Sequence, residues 1–350
     1  MKSLYDISWK TDEKTYRNDT ALSHSTLAKF DKEGFYKLNT LFDKIETPNL
    51  TFGSVVDSLI TGGQEEFNNR FIVCDNFLDE DIMNIVKGIY DNFSMNYDKF
   101  IAIPITQVSQ LAKQLGFWTA DKWSDDSRYK ALLKKGDIER YYQLLRASED
   151  KTVIDKNTYQ DALKCVTALK TAESTRFYFA DNEPESGIVR YYQLKFKNNF
   201  NGVDYRSMLD LIITDYNNKK IYPIDLKTSS TPEAEFYKAF VKYGYSDQAR
   251  LYYRNLAETC SKDDYFKDFE IEDFTFVVVN RNTLTPLTWR YHDTKTFGDL
   301  VYGKDHNIIC RDPFDIGEEL NYYLTHPECK VPIGIKTNRT NDLSIYLEKM

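Results

Sequence analysis

Between residues 186 and 228 apolar and polar positions alternate in three runs, which predicts three strands. The last two, Ser207–Asp215 and Ile221–Thr228, are joined by the polar segment 216–220 and read as a β-hairpin. Two acids, Asp210 and Asp225, interrupt its Val/Ile/Leu-type runs. Successive strand residues face opposite ways, so Asp225 and Lys227 share a face and the neighbouring strand can bring Asp210 beside them. Elsewhere the period is helical. Ser residues at 23 and 25 open one helix and a second begins near Thr51. Helix-like segments fill 79–147, and Tyr159, Ala162, Leu163, Val166, Leu169 and Ala172 mark a further core-facing helix. Pro232 can start a helix, and Phe274–Val279 reads as a buried strand. The expected class is α/β (α+β), a mixed central sheet with flanking helices and a helical elaboration.

Two carboxylates with the Leu226 carbonyl between them make a hard oxygen site suited to Mg²⁺ or Mn²⁺. The Lys227 ammonium beside it can orient a water or stabilise developing charge, as phosphodiester cleavage requires. The bland alternative is that Asp225 and Lys227 face solvent and Asp210 caps a strand end. Asp is depleted from strands, so two of them inside apolar runs favour the site.

Asp210 followed by Asp225-Leu226-Lys227 resembles the PD-(D/E)xK nuclease signature in its D…DxK form. Three flanking features support the resemblance. Gln248 and Tyr252, four apart on an expected helix, resemble the QxxxY motif of RecB-type nucleases, which implies that they order the site and the substrate strand. The segments Ser23–Phe30 and Phe52–Leu59 resemble the N-terminal part of phage exonuclease VIII (RecE-like) proteins. There the residue matching Asp57 is usually a metal-ligating His; this chain departs from the pattern, so Asp57 is either a replacement ligand or a helix-surface residue. The run from Val153 to Phe179, leading to Glu183–Ser186 before the catalytic strands, follows the same order. The resemblance covers about 20–62 and 150–256.

It implies a restriction-endonuclease-like core and a metal-dependent DNA exonuclease of phage-type recombination or repair, acting on duplex ends. Asp210, Asp225 and Asp57 with the Leu226 carbonyl are the implied metal ligands, and Lys227, Gln248 and Tyr252 complete the catalytic set. Implied partners are DNA, as duplex ends or single strand, and a single-strand annealing protein; a homo-oligomer is among the open assembly states. An endonuclease on the same fold and a catalytically weak DNA-binding protein remain as alternatives. The expected organisation is a polar arm (1–20) and a single elaborated nuclease domain (21–350). That domain comprises N-terminal helices (21–62), a helical insertion (79–148), a catalytic core (150–290) and a C-terminal extension (291–350).

The net charge of −8 over 350 residues means that phosphate contacts must be local. Lys238, Lys242, Arg250 and Arg254, around the Gln248/Tyr252 helix, are the candidate DNA contacts. A set comprising Lys130, Lys134, Lys135, Arg140 and Arg146 reads rather as the wet face of helices. The five cysteines form no CxxC, so reduced thiols in a cytoplasm and no iron–sulfur cluster are expected. No long apolar run suggests a membrane span, and no P-loop suggests an ATP-driven motor.

Overall fold

The computed structural model describes residues 2–43, 47–74, 78–148, 151–183, 185–304 and 306–329. Contacts divide the chain into two compact units, one of Met1–Gly53 with Thr167–Met350, the other of Ser54–Val166. No glycine- or proline-rich linker marks the division, and the second unit is larger than the 79–148 insertion expected from the sequence.

The first unit opens with α1 (Leu4–Ile7), α2 (Glu13–Asn18) and α3 (His24–Glu33). As expected, Ser23 caps α3 by accepting the Thr26 N–H, and Gly34 ends it at φ +70°. Next, α4 (Pro48–Thr61) contains the boundary between the units.

The second unit continues with α5 (Gly63–Arg70), β1 (Phe71–Cys74), α6 (Glu80–Phe93), α7 (Ile105–Gln114), α8 (Asp125–Leu133), α9 (Ile138–Ala147) and β2 (Thr152–Asp155). Strands β1 and β2 pair in parallel. Its own core gathers Val86, Ile89, Phe100, Val108, Leu132 and Tyr142, each at most 0 % exposed. Then α10 (Lys156–Thr171) leads back into the first unit.

That unit now builds its sheet from β3 (Ile188–Phe200), β4 (Val203–Asp215) and β5 (Lys220–Ser229), followed by α11 (Phe236–Lys242) and α12 (Tyr245–Ser261). Strands β6 (Glu270–Ile271), β7 (Phe274–Asn280) and β8 (Leu287–Tyr291) complete it, and β9 (Leu300–Tyr302), β10 (Ile308–Cys310) and α13 (Pro313–Thr325) end the described chain. The strand order is β3-β4-β5-β7-β8 with β6 beside β5. Among the described strands of this sheet β5 pairs in parallel with β6 and β7, and the other pairings are antiparallel. The mixed sheet flanked by helices is therefore the architecture expected from the sequence.

Local chemistry explains the strand joints. Asn201 and Gly202 both take positive φ, +51° and +82°, as a two-residue hairpin turn demands. At the next joint Asp215 Oδ1 accepts the Asn217 and Asn218 N–H groups, each at 3.0 Å. Pro223, with no N–H to give to a ladder, falls between the residues of β5 paired with β6 and those paired with β7. The core over the sheet joins Leu209, Ile212, Phe274 and Phe276 to Ala249 and Leu256 of α12.

The described residues of the segment expected as a polar arm (1–20) are instead laid along β3. Leu4 and Tyr16 are buried, the Trp9 N–H donates to the Lys195 carbonyl at 2.7 Å, and Lys197 pairs with Asp19 at 2.8 Å. Two apolar anchors, a backbone hydrogen bond and an ion pair dock a segment whose composition is otherwise polar. No described helix is long and apolar enough to cross a membrane.

Candidate active site

The β4–β5 ladder runs from Asp215↔Lys220 to Leu211↔Ile224 and stops. Beyond it β5 continues against β7 and β4 against β3, so the two strands part at the residues that carry the acids. The ladder also breaks on the other side. Gln193, opposite Asp210 on β3, has φ +55°, and this pair drops out of the register. A non-glycine residue in that region is strained, and such strain gathers at functional positions.

Asp210 occupies this gap, and its Oδ2 accepts the Leu226 N–H at 2.9 Å. A carboxylate thus takes the place of a strand carbonyl. Asp225 is 2 % exposed, and its Oδ1 accepts Gln248 Nε2 at 2.6 Å. Its Oδ2 forms an ion pair with Lys227 Nζ at 2.7 Å. The buried Oε1 of Gln248 has no hydrogen-bond partner.

Lys227 Nζ sits 4.4 Å from the centre of the Tyr245 ring. Burial acts to lower its pKa, but Asp225, Tyr245 and Asp210 together outweigh burial and hold it above the usual lysine range. Tyr252 is half-buried, and burial, followed by Tyr16, Asp225 and Asp210, raises its hydroxyl well above the ordinary tyrosine value. The hairpin and α12 therefore bring Asp210, Asp225, the Leu226 N–H, Lys227 and Gln248 together, with Tyr252 in the field of both acids.

Asp57 belongs to the Ser54–Val166 unit, where its Oδ2 lies 3.8 Å from Arg70 Nη1. Among the described residues no group of three or more His, Cys, Asp or Glu side chains is gathered to hold a metal. In the first unit, a Cβ on Gly53 would lie 3.0 Å from Thr228 Oγ1, so the second turn of α4 passes close to the end of β5.

Two of the four candidate DNA contacts require correction. Arg250 is fully buried and donates to the Thr296, Gly298 and Arg311 carbonyls and to Asp312 Oδ2, the last at 2.9 Å. Arg254 bonds Asp312 at 3.1 Å and Thr296 O at 3.1 Å, and lies over the Phe297 and Phe314 rings. Both guanidiniums are consumed in holding the 296–312 segment. Lys238 and Lys242 are exposed, the former paired with Glu235 at 2.6 Å.

His24 was not among the sequence candidates. It is half-buried with Nε2 3.1 Å from the Gly244 carbonyl, and burial and Lys227 push its pKa down to about 3 against the pull of that carbonyl. It is neutral, and Nε2 carries the proton because a carbonyl only accepts. Gly244, at φ +64°, is the N-cap of α12, so His24 braces the turn that delivers Tyr245 and Gln248. The one signal in the sequence was its place beside the capping Ser23.

No protein-family model matches the chain, and no curated protein matches it. Among solved structures, a "putative exonuclease" from Eubacterium rectale is similar to it at 12% identity and a TM-score of 0.41, with 95% of each chain covered. A likeness of that degree carries no functional argument, and the site stands on its own geometry.

Proposed function

We propose that this protein is a Mg²⁺- or Mn²⁺-dependent deoxyribonuclease that hydrolyses phosphodiester bonds from DNA ends. The observation that carries the proposal is the gathering of Asp210, buried Asp225 and Lys227 where β4 and β5 part. Two carboxylates in one gap outnumber the single lysine beside them, which favours a cation that offsets the remaining negative charge.

The residues fit a hard divalent cation. Mg²⁺ is commonly held by one or two carboxylates with water completing its shell, so Asp210 and Asp225, with the Leu226 carbonyl, would hold it. When bound, the ion supplies Lewis acidity toward a phosphoryl oxygen and lowers the pKa of water. The chain's own residues do the rest. Lys227, whose ammonium Asp225, Tyr245 and Asp210 favour, stabilises negative charge or orients the water. Gln248 fixes the rotation of Asp225, and Tyr252 lies in the field of both acids.

The test is incubation of purified protein with end-labelled linear duplex, single strand and covalently closed circle, in Mg²⁺, Mn²⁺ or EDTA. Linear DNA should be degraded only with metal, and the closed circle should survive. Cleavage of the circle makes the enzyme an endonuclease; binding without cleavage of any substrate overturns the nuclease reading.

A further inference from the structure

The segment Phe236–Tyr243 contains two lysines and no acid in a chain whose net charge is −8. Phe236 and Phe240 pack into the core, but its two tyrosines are open, Tyr237 56% and Tyr243 48% exposed. Each open ring has a lysine against it, Lys238 Nζ 5.8 Å from the Tyr237 centre and Lys242 Nζ 5.1 Å from that of Tyr243. The Tyr243 ring is also linked to the site. Its centre lies 5.8 Å from that of Tyr245, and Tyr245 lies under the Lys227 ammonium at 4.4 Å.

From this juxtaposition we infer that Tyr243 and Lys242 form a binding subsite for an unpaired DNA strand, the ring stacking on a base and the ammonium meeting a phosphate. The inference rests on the nuclease reading for its polymer. The two ring distances place Tyr243 within about 10 Å of Lys227. At about 3.4 Å per stacked nucleotide, that is roughly two or three nucleotides from the bond to be cut. An exposed aromatic ring accepts any base, because every base has a π-face, and a neighbouring lysine supplies the counter-charge. A duplex keeps its bases stacked on one another and gains less from such a ring. Tyr237 and Lys238, at the other end of the same short helix, offer a second pair farther along the strand.

The experiment measures fluorescence anisotropy of a labelled single strand and of a blunt duplex in EDTA, where cleavage does not intervene. Tyr243→Ala should weaken single-strand binding by about 5- to 100-fold and duplex binding much less, while Tyr243→Phe should stay within about twofold of wild type. Lys242→Ala should flatten the salt dependence by about one phosphate contact. Single-strand affinity unchanged in Tyr243→Ala, an equal loss for both DNA forms, or a Tyr243→Phe loss as large as that of Ala each overturns the subsite. Metal-dependent cleavage measured in parallel separates the two readings. Cleavage with Tyr243-independent binding removes only the subsite, and Tyr243-dependent binding without cleavage removes only the nuclease.

Discussion

Gln248 and Arg250 are two residues apart on α12, so their side chains leave the helix on nearly opposite sides, and both are buried. On one side Arg250 reaches three carbonyls and the Asp312 carboxylate, and no atom of its guanidinium is left without a partner. On the other, Gln248 reaches Asp225, which sits with Asp210 and Lys227 in the gap where β4 and β5 part, and the buried Oε1 of Gln248 has no hydrogen bond. One side is finished and the other is not. A network closed on backbone carbonyls fixes a fold, whereas acids gathered at a gap can hold something that binds. Charge in the sequence could not separate the two.

Substitutions sharpen this contrast. If the unfinished side is the site, Asp225→Asn and Asp210→Asn should each lower single-turnover cleavage by about 10⁴-fold or more with melting temperature retained. Full activity in either would discard the assignment. Lys227→Ala should slow the chemical step by about 10²- to 10⁴-fold with DNA affinity little changed. A fall in affinity with normal single-turnover rate would make Lys227 a phosphate anchor.

On the finished side, Arg250→Ala should cost about 3–5 kcal/mol in urea unfolding, because it empties a fully buried side-chain site, takes the donor from the Gly298 and Arg311 carbonyls and leaves Asp312 only the Arg254 guanidinium. Arg250→Lys should not restore it, since a single ammonium cannot span the same acceptors. Unchanged stability would remove the contrast.

Asp247, between the two, is 4% exposed, and burial, with Asp31 and Asp312 adding to it against Arg250 and Arg311, pushes its pKa up to about 8. Between the ordinary carboxyl value and about 8 the folded chain keeps a proton that the unfolded chain has released. Stability should therefore fall as pH climbs through that window, and the melting curve of Asp247→Asn should show a weaker slope.

Much of the sheet was legible in the chain because Asp210 and Asp225 stand out against apolar strand runs, and their hairpin forms where the pattern places it. The α12 helix was legible through the four-residue spacing of Gln248 and Tyr252. Three features were not. Arg250 and Arg254 read as surface cations because their acceptors come from residues 296–312, far along the chain. The N-terminal segment read as an arm because its apolar anchors are few, Leu4 and Tyr16, and its polar partners, Lys195 and Lys197, lie far along the chain. His24 gave no signal beyond its place beside Ser23, since its partner is a backbone carbonyl 220 residues away.

The parting of β4 from β5 leaves the Leu226 amide hydrogen held by a carboxylate in place of a ladder carbonyl. That one hydrogen is consequently an internal reporter. Any ligand that draws Asp210 toward itself weakens this bond, and the nitrogen-15 resonance and solvent-exchange rate of Leu226 will shift while those of the zipped residues Leu211–Asp215 hold still. Occupancy of the gap can thus be followed by magnetic resonance in the resting protein, with no substrate and no turnover.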